Sequence, residues 1–162
     1  MAGLNEYHFK FTLLGECESG KSAIKKILCD DNYPTTYRAT IGVEDGMYRS
    51  ESDLGRFRII FYDTSGQARF RAMSYSNIPS CQAVFFVYDV SNPDSLEGLE
   101  SRIKEVCERK DSNTLQKILL MNKMDLIAGE TDRGHHPKTL ELAKQYTLKM
   151  LETSAMSKET VV

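Results

Sequence analysis

The chemistry of this chain gathers first in Gly15-Glu16-Cys17-Glu18-Ser19-Gly20-Lys21-Ser22. The spacing is G-x-x-x-x-G-K-S, which fits a loop that wraps a phosphate chain. Two glycines let the backbone curl so that several N–H groups converge on one anion. A helix opening after the loop adds its unpaired N-terminal N–H groups and the positive end of its dipole. Lys21 contributes a point charge for terminal phosphates, and the Ser22 hydroxyl is a hard oxygen suited to Mg²⁺. A chance match of two fixed glycines with Lys and Ser/Thr is expected in roughly one chain of this length in a few hundred. Nucleotide binding is therefore the stronger reading.

Such a loop works only between a strand and a helix, and both flanks fit. Tyr7 to Leu14 alternates and ends apolar, while Ala23 to Leu28 reads as helix, ending near Cys29 at Asp30-Asp31-Asn32. A polar loop over 33–42 follows, of a length that is usually functional. Val43 to Ser50 is a polar strand expected at a sheet edge. A turn over Ser52–Gly55 leads into a clearer strand, Arg56 to Tyr62. Arg69 to about Ile78 is expected as an irregular helix ended by Pro79. Ala83–Tyr88 and Lys117–Met121 are continuous apolar runs, as in strands covered on both faces. Between them Leu96, Leu99, Ile103 and Val106 form one stripe of an amphipathic helix beginning near Ser91–Ser95. Pro137 opens a helix containing Leu140, Ala143 and Tyr146, and Thr147–Glu152 is the last strand. Strands alternating with helices specify an α/β fold with a mostly parallel sheet, whose ligands sit at the carboxyl ends of strands.

Composition removes other classes. The 162 residues suffice for one domain with its own core, spanning 1–162. A net charge of −2 without a basic run gives no argument for nucleic acid. The four cysteines, Cys17, Cys29, Cys81 and Cys107, are too scattered for a zinc site or a disulfide framework and suit reduced thiols in the cytosol. Cys29 and Cys107 read as small core residues on helices, and the methionines as core filler. No stretch approaches the roughly 18 apolar residues of a membrane span.

Together with Thr40-Ile41-Gly42, Asp63-Thr64-Ser65-Gly66-Gln67, Asn122-Lys123-Met124-Asp125 and Ser154-Ala155, the phosphate loop resembles that of the small GTPases of the Ras superfamily. The segments around Tyr33, Tyr37 and Gln67–Phe70 are most similar to the Rab branch, and the resemblance covers nearly the whole chain. It implies a P-loop G domain: six strands, all parallel except the edge strand at 43–50, with helices on both faces. The family's last helix is expected to begin where this chain ends, after Lys158–Val162.

The Asn122–Asp125 segment addresses the base. A carboxylate accepts two N–H bonds only from an edge with two donors, as guanine has and adenine lacks, so Asp125 selects guanine. The Lys123 stem can lie along the base and Asn122 can tie loops together. The resemblance implies a backbone N–H from Ala155 to the base, with Ser154 bracing Asp125. It also implies nucleotide contacts from Gly15, Cys17, Glu18, Ser19, Gly20, Lys21, Ser22, Ala23, Tyr33, Tyr37, Thr40 and Gly66. Mg²⁺ would be held by Ser22, by Thr40 in the triphosphate state, and by Asp63 through water. Gln67 would orient the attacking water as the catalytic residue, in slow hydrolysis of GTP to GDP. Two loops ordered by the third phosphate would form a switch read by partners: an exchange factor, an activating protein and effectors, in vesicle trafficking. A monomeric cytoplasmic protein is expected, reaching membranes only through a lipidated tail outside these residues.

Several positions depart from that pattern. Cys17 and Glu18 replace small residues, and the Glu18 charge at the rim of an anion site is offset only if Lys123 pairs with it. Asp45 and Tyr62 replace aromatics that effectors read, Ala68 a glutamate beside Gln67, and Met156 a lysine. The rival readings are a GTP- or GDP-holding adaptor with negligible hydrolysis, and a P-loop ATPase or nucleotide kinase.

Overall fold

The computed structural model describes residues 5–30, 33–109, 114–127 and 137–157. Six strands form one sheet: β1 (Glu6–Leu14), β2 (Val43–Ser52), β3 (Gly55–Thr64), β4 (Ala83–Asp89), β5 (Gln116–Asn122) and β6 (Lys149–Glu152). Among the described residues four α-helices accompany them: α1 (Lys21–Asp30), α2 (Arg71–Ser76), α3 (Pro93–Cys107) and α4 (Pro137–Gln145). The strand order is β2-β3-β1-β4-β5-β6. All neighbours are parallel except the β2–β3 hairpin, which places the polar strand at an edge as expected.

The order carries the logic of the site. From β1 the chain moves outward to the hairpin, then crosses to β4 on the other side, so β1 has parallel partners on both flanks. A crevice opens at the carboxyl end of a strand where the order reverses in this way. The phosphate loop leaves β1 there, and the loop after β3 leaves beside it. Thr64 Oγ1 donates to the Leu13 carbonyl at 2.6 Å and laces the two strand ends together.

Alternation along the central strands fills two cores. Leu14, Val84, Phe86, Tyr88, Leu119 and Met121 face the side covered by α3 and α4, where Leu96, Leu99, Ile103 and Val106 form the buried stripe read from the sequence. Leu13, Phe61, Val87 and Leu120 face the side covered by α1 through Ile24. Complete burial of a Leu, Ile or Val contributes about 1.5–3 kcal/mol, so these two layers hold the frame. At β2, Gly46 lets α1 approach, because a Cβ there would lie 3.0 Å from Cys29 Sγ and 3.1 Å from Lys25 Cγ. The hairpin turns through Gly55 at φ 138°, where a Cβ would meet the Asn5 carbonyl at 2.3 Å.

Four local expectations change. The segment after β3 is a 3-10 turn (Ala68–Phe70), then α2, then a second 3-10 turn (Ile78–Ser80). The break falls at Asn77, and Pro79 sits inside the second turn, where its missing N–H costs nothing. On α4 the core face is Thr139, Leu142 and Ala143; Leu140 is half exposed and Tyr146 follows the helix. The last strand starts at Lys149, because Thr147 takes a left-handed φ of 53° that cannot extend a ladder. Met121 is a core residue, whereas Met47, Met73 and Met156 are exposed. Cys29 and Cys107 pack at the borders of the two cores as read. Asp31, Asn32 and the 158–162 end lie outside the described residues. Among the described residues no helix is long and apolar enough to cross a membrane.

Candidate nucleotide site

The loop after β1 closes on its own lysine. Lys21 Nζ donates to the Gly15 carbonyl (3.0 Å), the Glu16 carbonyl (2.7 Å) and Ser19 Oγ (3.3 Å). The side chain is nearly sealed, at 5% exposure. Burial pulls its pKa down from 10.5 to about 8, against the pull of Asp63 the other way. Burial likewise raises Asp63 above the ordinary carboxylate range, partly offset by Ser22, Lys21 and Lys25. Both groups therefore shift as desolvation dictates, and their mutual attraction is the smaller effect.

Asp63 is the centre of a cluster of hard oxygens from three separate segments. Ser22 Oγ donates to its Oδ2 at 2.6 Å. Thr40 Oγ1 lies 3.0 Å from Ser22 Oγ and 3.4 Å from the same carboxylate oxygen. The other oxygen, Oδ1, is buried without a hydrogen-bond partner among the described residues. Gly42 closes the segment after Thr40 by accepting from Ser65 N at 2.8 Å.

A cavity of about 880 Å³ lies over this cluster. Of the residues singled out in the sequence, its wall includes Cys17, Glu18, Gly20, Lys21, Ser22, Ala23, Tyr33, Tyr37, Thr40, Gly66, Gln67 and Lys123. Lys26, Arg38 and Glu44 also line it and carried no sequence signal. Gly15, Ser19, Asp63, Asn122, Asp125, Ser154 and Ala155 are not part of that wall. Ser19 and Asn122 are buried, and the Asn122 amide donates to the Ser19 carbonyl at 2.9 Å. Gly20 permits this approach, since a Cβ there would sit 2.1 Å from Asn122 Nδ2. The Asn122–Asp125 loop is thus bonded directly to the phosphate loop.

The Asn122–Asp125 loop is tied to the loop after β6: Ser154 Oγ donates to Asp125 Oδ1, and the Ser154 hydroxyl accepts from Met156 N at 3.1 Å. Lys123 turns the loop at a left-handed φ of 66°. Its ammonium pairs with Asp89 Oδ2 at 2.7 Å, not with Glu18. The contact follows from register, because Asp89 and Asn122 are direct partners at the ends of β4 and β5. Burial works against the Asp89 carboxylate, but hydrogen bonds from Lys123 and Ser91 outweigh it and hold its pKa below the usual value. Glu18 stands at the cavity rim at φ 62°, a left-handed position that favours glycine. Gln67 lies half-buried, its side-chain carbonyl accepting from Arg69 Nε at 2.8 Å.

Sequence reasoning missed Arg102, Glu16 and Asp89. Arg102 had one legible signal: it falls within the apolar stripe of α3, three residues after Leu99 and four before Val106. It is 2% exposed, with Nε donating to Glu16 Oε1 at 2.8 Å and Nη2 to the Gly66 carbonyl at 2.7 Å.

A parallel sheet with one antiparallel edge strand and a glycine-bounded phosphate loop at its switch point defines a P-loop α/β domain of the small-GTPase type. Residues 10–162 match the model of the Ras family. The chain belongs to the Ras family. Its relatives include the Ras-related protein Rab-8B of Homo sapiens, 29% identical over 161 residues (99% of this chain and 76% of the relative). The Ras-related protein RABE1e of Arabidopsis thaliana is 31% identical over 157 residues, 96% of this chain and 71% of the relative. The GTP-binding protein YPTM2 of Zea mays is 31% identical over 156 residues, 96% of this chain and 75% of the relative. The Rab-like character read from the motifs is thus shared with plant and animal relatives.

Proposed function

We infer that this protein is a guanine nucleotide switch, a single G domain that binds GTP and GDP and hydrolyses GTP slowly. The observation that carries the reading is the cluster of Ser22, Thr40 and Asp63 beside the buried Lys21: Ser22, Thr40 and Lys21 line the cavity, and Asp63 is bonded to Ser22. Three polypeptide segments converge on oxygens that suit a hard cation, next to a cation that suits phosphates. The unpartnered Asp63 Oδ1 is the buried acceptor that a cation's water shell would satisfy, so the donor set fits Mg²⁺. Ser22, Thr40 and Asp63 would hold the ion. When bound, Mg²⁺ neutralises charge on the outer phosphates.

The protein's own residues do the rest. Lys21 faces the phosphates, and its pKa of about 8 keeps it mostly protonated at neutral pH. Asp125, braced by Ser154, accepts from guanine and leaves adenine without a partner. Gln67 orients the attacking water, and the loops bearing Thr40 and Gly66 respond to the third phosphate. Tyr33 and Tyr37, both largely exposed, stand on the first of those loops, where the nucleotide and partners meet. The partners of this reading are an exchange factor, an activating protein and effectors, with a role in vesicle trafficking that the Rab-named relatives support. The site is cytoplasmic, and membrane attachment through a lipidated tail would make the protein peripheral.

Single-turnover hydrolysis of GTP loaded with Mg²⁺ tests the enzymatic part. Slow conversion to GDP that depends on Mg²⁺ supports the switch. Nucleotide retained as GTP over hours identifies a GTP-holding adaptor instead.

A further inference from the structure

Arg102 has no role in the reading above, yet it is the most buried cation among the described residues. A guanidinium cannot shed its charge, so burying one is costly unless its donors are used. Two of its three nitrogens are used, and both go to the loops of the proposed site rather than to the helices around it. Nε holds Glu16 of the phosphate loop, and Nη2 holds the carbonyl of Gly66 after β3. The third nitrogen, Nη1, is buried with no hydrogen-bond partner among the described residues.

The surroundings are cut to this arrangement. Gly98, one turn earlier on α3, leaves room for the Glu16 side chain, since a Cβ there would lie 2.6 Å from Glu16 Cγ. Gly66 presses on the phosphate loop so closely that a Cβ would come within 2.2 Å of Cys17 N. The peptide unit joining Gly66 to Gln67 is held at both of its polar groups. Its carbonyl accepts from Arg102 and its N–H donates to Ser65 Oγ at 3.2 Å. Fixing both groups of a planar unit fixes its orientation, and with it the direction in which Gln67 leaves the backbone. A second link from the same segment to α3, Arg71 to Glu105 at 2.9 Å, is solvent-exposed and contributes little.

We propose that Arg102 is a positioning residue that locks the Gly66–Gln67 peptide unit to the phosphate loop and so sets the preference of the site for triphosphate over diphosphate. This rests on the nucleotide-switch reading. The third phosphate is the part of the ligand that the Gly66–Gln67 unit faces in that reading, so releasing the unit weakens the triphosphate complex selectively.

Two variants test it: Arg102→Lys, and Arg102→Met combined with Glu16→Gln. The double change removes both charges together, avoiding the orphaned carboxylate that makes single disruptions of buried pairs so destabilising. Dissociation constants for GDP and a non-hydrolysable GTP analogue are measured with Mg²⁺, alongside thermal unfolding without nucleotide. The double variant should keep a cooperative transition and lose about tenfold in its preference for the GTP analogue over GDP. Arg102→Lys, which replaces two separate guanidinium donors with a single ammonium, should lose an intermediate amount. A folded variant whose two affinities fall by the same factor, or do not change, overturns the role of Arg102. If the double variant does not fold, an unchanged preference in Arg102→Lys overturns it equally. Wild-type protein that binds neither nucleotide overturns the functional reading itself, a result distinct from an unchanged preference.

Discussion

Binding of a phosphate chain at Lys21 should take up a proton, in an amount fixed by its burial. Its ammonium is held at a pKa of about 8 in the free protein, against 10.5 for an ordinary lysine. At pH 8 the group is therefore about half protonated, and at pH 7 about nine-tenths. A polyphosphate anion beside it favours the charged form and returns the pKa to its ordinary range or above. Nucleotide binding should then absorb about half a proton at pH 8 and about one-tenth at pH 7. Affinity should fall about twofold over that interval from this group alone. The same shift acts on stability. A lysine with a lowered folded pKa binds fewer protons folded than unfolded, so the nucleotide-free protein gains stability as pH rises between about 8 and 10.5. The full shift is worth on the order of 3 kcal/mol. Calorimetric titration with GDP at pH 8, in two buffers of different ionisation enthalpy, counts the protons directly. Zero uptake, or release, would refute the reasoning that burial rather than pairing sets the state of Lys21.

Three further outcomes are expected. Asp125→Asn keeps a partner for Ser154 but loses the acceptor pair for guanine, so GDP affinity should fall at least about tenfold, with a shift toward xanthosine nucleotides in competition titrations. Glu18→Gly relieves a left-handed backbone that costs about 1–2 kcal/mol, offset by about 0.5–1 kcal/mol of glycine chain entropy. Urea unfolding should show the variant more stable by up to about 1 kcal/mol; a loss of stability would contradict the strain assigned there. Gln67→Leu should lower single-turnover GTP hydrolysis at least about tenfold without comparable loss of GTP affinity. An unchanged rate would remove Gln67 from the mechanism.

Much of this was legible because it is written in local pattern. The β1–loop–α1 unit, the apolar runs of β4 and β5, and the stripe on α3 each announce themselves in one continuous stretch of chain. The polar character of β2 predicted its place at the edge, and the hairpin turn fell where Gly55 allows it. What escaped was set by contacts between distant segments. Nothing local to the Lys123 loop names its partner, and the register of β4 against β5 is what makes it Asp89. Arg102 sits at a core position that its residue type argues against, and its partners are 86 and 36 residues away in sequence. The position of Pro79 inside a 3-10 turn depends on tolerance of a missing N–H in a first turn, which the residue preceding it does not reveal.

The central claim is that the cavity and its flanking loop bind a guanine nucleotide. The most direct test is displacement of a fluorescent GDP analogue from the purified protein, with Mg²⁺, by unlabelled GDP and by ATP. Stoichiometric GDP should displace it and ATP at a hundredfold excess should not, since Asp125 would face an edge lacking its two donors. Equal displacement by ATP would contradict the reading of Asn122–Asp125 as the base-selecting loop.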